Sequence, residues 1–201
     1  MKVKTELKKI ILFLFLFVIT TNAQIFKFGE AKGLFMSIGV GPRFPVGSFA
    51  EKLSMGEGID VAFSYTDNKV LPVFLYSKFG YQHYAGDPDF YRISDYSSFN
   101  TNIISLDVGA RYYFEPVIKN IVLLMPILEA GLSFSVLENL HQYKFGTHKN
   151  DMIETLTKFG FHAGAGFSMF LLDVIGYYHF SPDNQFVSFD LRIRIPIFAT
   201  I

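Results

Sequence analysis

The stretch from Phe186 to Phe198 divides its positions between two solvents. Val187, Phe189, Leu191, Ile193, Ile195 and Ile197 form one unbroken apolar row, and Ser188, Asp190, Arg192 and Arg194 form the other. Side chains on a β-strand alternate between faces with a period of two, so this is a strand with one apolar and one ionic face. Two environments accept such a strand. In a soluble sandwich the apolar row lines a core and the charges face water. In a membrane barrel the apolar row faces lipid and the charges face the lumen.

The N-terminus bears on that choice. Lys2, Lys4, Lys8 and Lys9 precede the apolar run from Ile10 to Ile19, and Thr21-Asn22-Ala23 supplies small residues before Gln24. This is the form of an export signal, expected to be cleaved after Ala23. The run is too short for a spanning helix, which needs about 20 apolar residues. Residues 1–23 are therefore expected to be a signal peptide, 24–32 a periplasmic lead-in and 33–201 a single barrel domain. Removing four Lys and Glu6 from 18 basic and 18 acidic side chains leaves 14 and 17, which argues against nucleic acid as a partner. No cysteine is present, so disulfides, thiol nucleophiles and thiolate metal sites are excluded. With 24 Phe, 11 Tyr and no Trp among 201 residues, the chain is too apolar for disorder.

Alternation recurs along the chain. Strands are expected at about 33–44, 58–65, 70–84, 101–114, 121–137, 156–169, 173–180 and 186–198. Long polar connections at 45–57, 85–100 and 138–155 alternate with short ones at 66–69, 115–120 and 170–172, and a link at 181–185 precedes the last strand. An up-and-down outer-membrane barrel has long outer loops and short periplasmic turns. The predicted class is all-β: an eight-stranded antiparallel up-and-down transmembrane β-barrel with a filled polar lumen.

The two rows add detail. The inward positions hold Arg43, Lys78, Arg111, Lys158, Arg192 and Arg194 against Asp60, Asp107, Glu129, Asp173 and Asp190. An eight-stranded barrel is just wide enough for side chains to fill it, and buried charges need partners. Near-balance therefore implies an ionic plug in the lumen rather than an open pore. Aromatic residues at strand ends, Tyr65, Tyr112, Phe114, Phe167 and Phe198 at one end and Phe44, Tyr81 and Phe180 at the other, read as two interfacial girdles. Tyr84, Tyr113, Phe170 and Phe186 join the same girdles on this reading.

The signal ending Asn22-Ala23-Gln24, the opening strand from Gly33 to Gly47 with Phe49 beyond, Gly109-Ala-Arg-Tyr-Tyr-Phe114 and the final strand together resemble the OmpA/OmpX-type outer-membrane barrels. The small barrels of Bacteroidetes-type outer membranes are especially similar. The resemblance implies outer-membrane lipid, lipopolysaccharide and the barrel-assembly machinery as partners, and no cofactor. Such barrels usually end on an aromatic residue, whereas Phe198 is followed here by Ala199-Thr200-Ile201.

His179 and Ser181 resemble the rim pair of lipid A deacylases, with Asp183 or Asp190 to orient the ring. That family continues with Asn after the Ser, and this chain has Pro182. An interfacial strand end followed by a Ser-Pro-Asp-Asn turn is the simpler expectation. His162 lacks partners at ligand spacing, so no metal site is expected. Lys144, His148 and Lys149 are candidates for lipopolysaccharide phosphates, and the aromatic loop 85–100, with Phe90, Tyr91, Tyr96 and Phe99, for a protein or surface ligand. The expected function is a non-enzymatic barrel acting in structure, adhesion or envelope interaction through its outer loops. The alternatives are the hydrolase and a soluble secreted barrel binding an apolar ligand.

Overall fold

A computed structural model describes residues 32–67, 71–117 and 124–200. The expected signal peptide and all of the lead-in except Lys32 lie outside the described residues. Eight strands follow in order: β1 (Lys32–Val46), β2 (Gly56–Asp67), β3 (Leu71–Ala85), β4 (Tyr96–Tyr113), β5 (Leu124–Tyr143), β6 (Met152–Met169), β7 (Leu172–Ser181) and β8 (Asn184–Thr200). Each pairs antiparallel with its neighbour in sequence, and β8 returns to β1 through pairs such as Ile38↔Ile193 and Val40↔Leu191. The ring is closed, which removes the unpaired edges that an open sheet exposes.

The period of two decides which way each residue points, and the protein is built inside out. Arg192 is 0% exposed while Ile193 beside it is 57% exposed. Leu75, Phe79, Ile104, Val108, Leu128, Leu132, Phe159 and Phe189 are likewise exposed on the outside. Arg43, Asp60, Lys78, Asp107, Arg111 and Glu129 are buried inside. A soluble ligand-binding barrel needs the reverse distribution. The outward row of β8 is the apolar one.

Several expected boundaries move. The loop expected at 85–100 shrinks to 86–95 and contains a helix, α1 (Pro88–Ile93). Asp87 caps it by accepting hydrogen bonds from Asp89 N (2.8 Å) and Phe90 N (3.4 Å), with Pro88 in the first turn. The loop expected at 138–155 shrinks to 144–151, because β5 and β6 pair as far as His141↔Met152. The polar residues of those loops continue the ladder above the apolar belt, where hydrophobic alternation no longer marks a strand. The connection expected at 115–120 begins by 114, where β4 has ended, while 118–123, including the start of the fifth strand expected at 121, lie outside the described residues. Pairing persists into it through Phe114 N to Pro126 O (3.0 Å) and Val117 N to Leu124 O (2.9 Å). The link expected at 181–185 is a two-residue turn, Pro182-Asp183, with Asp183 at φ 58°. A single turn of 3-10 helix, Gly47–Glu51, folds Phe49 into the mouth of the barrel.

The tightest approach at the β1–β8 seam is at Gly41. Pairing is interrupted between Val40↔Leu191 and Arg43↔Ser188, and there a Cβ on Gly41 would lie 1.8 Å from the carbonyl oxygen of Phe189. Gly41→Ala must push the two strands apart, at a cost of about 1–3 kcal/mol. Urea unfolding in detergent micelles, followed by tyrosine fluorescence, is expected to show that loss.

Candidate functional site

The lumen is organised in layers, with an ionic centre between two aromatic ends. At the centre, alternating charges form one connected chain. Arg43 pairs with Asp190 and, at 3.7 Å, with Asp60. Arg192 reaches Asp60 (3.2 Å), Asp190 (3.0 Å) and Glu129 (3.6 Å). Arg111 continues from Glu129 to Asp173 (3.2 Å), and Arg194 closes on Asp173 from the other side. Beside this chain, Lys78 pairs with Asp107 at 3.0 Å. Five cations and five anions are thus buried together: Arg43, Lys78, Arg111, Arg192 and Arg194 against Asp60, Asp107, Glu129, Asp173 and Asp190. Lys158 stands apart from them. It lies at the rim, 20% exposed, with Asp183 at 3.7 Å.

Tyr177 is the hub of the centre. Its hydroxyl donates to Glu129 Oε2 (2.7 Å) and accepts from Arg192, while Lys78 Nζ lies 4.5 Å from its ring centroid and the Arg192 guanidinium 4.9 Å. Such cation–π contacts are strengthened where water is excluded. The sequence reading missed this residue. Its parity with Asp173, His179 and Ser181 on β7 was the available signal.

Aromatic layers close both ends. Toward the chain termini, Tyr113, Ile127 and Ile175 pack with Phe74, and Phe74 meets Tyr113 at 4.9 Å and Phe35 at 5.8 Å. At the opposite end, Phe49, Leu53, Tyr84, Phe99, Ile103 and Leu137 form a second cluster, with Phe186 6.2 Å from Tyr84. The structure therefore corrects the placement of Tyr84, Tyr113 and Phe186, which face inward. Position near a strand end was read correctly, but parity puts all three on the lumen side. Tyr65, Tyr112, Phe114, Phe167, Phe198, Phe44, Tyr81 and Phe180 all face outward and are exposed. Above the second cluster lies a mouth cavity of about 360 Å³, bounded by Phe49, Leu53, Phe99 and Leu137 and by the charged Glu51 and Lys158.

The His179, Ser181 and Asp183 group is not assembled for nucleophilic attack. Ser181 Oγ donates to the carbonyl of Asn184 (3.0 Å), so its hydroxyl serves the turn. His179 stacks face to face on Phe186 (4.2 Å, 11°). Asp183 points outward to Lys158. His179 instead meets His162, its cross-strand pair, with ring centroids 5.5 Å apart. Contrary to the expectation that His162 lacks neighbours at ligand distance, Asp107, His162 and His179 each bring one donor atom within 4.8 Å of the others. Three different strands contribute, so no linear spacing announces the group.

At the long-loop end an outer aromatic group packs onto the mouth cluster through Phe90, Tyr91 and Tyr96. Tyr96 stacks on Tyr143 (4.7 Å) and lies 5.2 Å from Phe90 and 5.7 Å from His141. Lys144 Nζ donates to the carbonyls of Tyr91 (2.6 Å) and Ser94 (2.7 Å), tying the β5–β6 loop to α1. Lys149 donates a hydrogen bond to Asp95 at 2.8 Å, and that bond, helped by the opposite charges, lowers the pKa of the Asp95 carboxyl and raises that of the Lys149 ammonium. Two of the three groups assigned to lipopolysaccharide phosphates are thus engaged within the protein. Ile93 and Phe145 project into solvent above this surface.

No family model and no curated protein matches the chain. Solved structures that are similar in fold include Neisserial surface protein A, with 15% identity, 83% of this chain and 98% of that one covered, and a TM-score of 0.46. The attachment invasion locus protein Ail of Yersinia pestis matches with 12% identity, 83% and 99% coverage, and a TM-score of 0.49. The N-terminal β-barrel domain of Pseudomonas aeruginosa OprF gives 14%, 83% and 100%, and 0.47. A further structure holds Ail in complex with the heparin analogue sucrose octasulfate. The fold itself stands on this chain's own ring. It is a closed eight-stranded antiparallel barrel with a charged interior.

Removing one member of the buried chain strands its partners. Arg192→Met leaves Asp60, Asp190 and Glu129 short of a cation and is expected to destabilise by about 3–5 kcal/mol. Lys158→Met at the rim is expected to cost about 1 kcal/mol or less. Denaturant unfolding of both variants in the same micelles checks the contrast.

Proposed function

We propose that this protein is a non-enzymatic outer-membrane barrel, sealed to ions, that presents its long-loop end as a binding surface. Residues 1–23 direct its export, and the assembly machinery inserts it among outer-membrane lipid and lipopolysaccharide. The single observation that carries this reading is the inside-out distribution of side chains. Outward Leu75, Ile104, Leu132, Phe159 and Ile193 are each more than half exposed, while ten ionised side chains are buried within. Water rewards neither arrangement. Lipid outside and mutual pairing inside reward both.

Sealing follows from the same chemistry. The buried charges balance and the aromatic layers lie across both ends, so a hydrated ion has no continuous path. The non-catalytic assignment is supported by the Ser181 hydroxyl, which is held on a backbone carbonyl. The binding surface is assigned to α1 and the β5–β6 loop because their aromatic groups are already fixed by Lys144 and by the Tyr96–Tyr143 stack. An ordered surface loses little conformational entropy on binding. The partner is a protein or cell-surface ligand that covers Ile93 and Phe145.

Carbonate washing of membranes from expressing cells is expected to leave the protein in the pellet; release into the wash overturns the membrane assignment. Planar bilayers containing the purified barrel are expected to show no stable unit conductance. Leu132→Arg, placed in the lipid-facing row, is expected to lose about 2–4 kcal/mol in bilayer folding titrations. Ile93→Ser with Phe145→Ser is expected to leave folding intact and to reduce adherence of expressing cells to protein-coated and cell-covered surfaces.

A further inference from the structure

We propose that the lumen contains a site for one transition-metal dication of the zinc class, formed by Asp107 on β4, His162 on β6 and His179 on β7. The donor atoms of these three buried residues lie within 4.8 Å of one another, a spread that small shifts close to the separations of a coordination shell. The ligand chemistry selects the class. Two imidazoles and one carboxylate suit zinc, nickel or copper, whereas magnesium and calcium prefer an all-oxygen set.

A second observation points into the same space. Asp107 Oδ1 is buried, accepts no hydrogen bond and faces His162 Nδ1 at 3.9 Å. The other oxygen of that carboxylate is held by Lys78, and Ser133 lies against the same carboxylate, so the group is oriented toward the two imidazoles. The imidazoles are oriented as well. His162 Nε2 is 2.5 Å from the Tyr76 hydroxyl; in the tautomer with Nε2–H donating to it, Nδ1 presents its lone pair toward Asp107. A metal-bound histidine typically has its second nitrogen tied in this way. Ser133 Oγ, 2.9 Å from the same Nδ1, turns that lone pair's present bond over to the ion and supplies an oxygen next to the site. His179 is clamped against Phe186 and stacked on His162, which fixes its ring.

Lys78 sets the strength of the site. Its ammonium, 3.0 Å from Asp107 Oδ2, repels an incoming dication and competes for the carboxylate. Removing that charge should therefore tighten binding, which a purely structural role for the histidines does not predict.

The test unfolds the mature barrel in urea with a chelator, removes the chelator and refolds the chain into micelles across a series of Zn²⁺ concentrations. The ion thus reaches the lumen before the aromatic ends close, and protein-bound metal is then assayed. Wild type is expected to take up one ion per chain. Asp107→Asn and His179→Gln should each weaken uptake at least about tenfold, and Tyr76→Phe, which keeps the ring and removes only the second-nitrogen partner, by about tenfold. Lys78→Met should bind more tightly than wild type, and His148→Ala, on the β5–β6 loop, should bind as wild type does. Absence of saturable uptake by wild type overturns the proposal. So does uptake indifferent to His179→Gln and Tyr76→Phe, or uptake lost in His148→Ala. Should Asp107→Asn fail to fold, Tyr76→Phe and Lys78→Met decide the matter, and unchanged affinity in both overturns the site.

Discussion

The structure depends on neutralising charge where water is absent. Moving a single carboxylate or guanidinium into such an interior costs several kcal/mol even after relaxation, and only well-placed opposite charges offset it. Arg43, Arg192, Arg111 and Arg194 meet that requirement by sharing Asp60, Asp190, Glu129 and Asp173 in alternation, so every member except Arg194, which ends the chain on Asp173, has more than one partner of opposite charge. The glycines of the inward rows belong to the same solution. A Cβ at Gly39 would lie 2.8 Å from both Arg192 Cγ and Asp60 Oδ2, and one at Gly58 would lie 2.7 Å from Arg43 Nε. The small residues are where the long charged ones run.

The aromatic ends make this centre tenable. Phe74, Tyr113 and Ile175 on one side, and Phe49, Tyr84 and Phe186 on the other, keep bulk water from the ion pairs and so keep the pairs strong. The ends also separate the tasks of the molecule. The belt meets the bilayer in the proposed setting, the centre fixes the barrel's shape, and the surface around α1 and Tyr143 rests on the mouth cluster through Phe90, Tyr91 and Tyr96.

Much of the fold could be read from the chain because a strand's two faces are encoded locally. The parity of Asp190, Arg192 and Arg194 against Leu191 and Ile193 needs no knowledge of the rest of the molecule. Strand ends were less legible: Tyr96–Asn100 and Glu138–Tyr143 carry polar residues on both faces, interrupted by Phe99 and Leu140, so their pairing comes from cross-strand partners rather than from a clean alternation. The lumen's composition was legible, but its layering was not. Whether Tyr84 meets Phe49, or His162 meets Asp107, depends on how far each strand is staggered around the ring, and that shear appears only on closure. The inward parity of Tyr177 was legible, but its place at the centre and the meeting of Asp107, His162 and His179 were not, for this reason.

The seam between β1 and β8 joins residues from opposite ends of the chain, as in Lys32↔Thr200 and Val46↔Gln185. Contacts of such sequence separation form late, because loop closure is costly until other contacts compensate. Arg43 and Asp190 pair across this seam. While it is open, Arg43 lacks one of its two carboxylates and Asp190 one of its two guanidiniums, so both charges hold water at the breach. Closing the ring expels that water and completes both ion sets at once. The seam therefore acts as a latch in the sense that the ion sets of Arg43 and Asp190 are complete only in the closed ring.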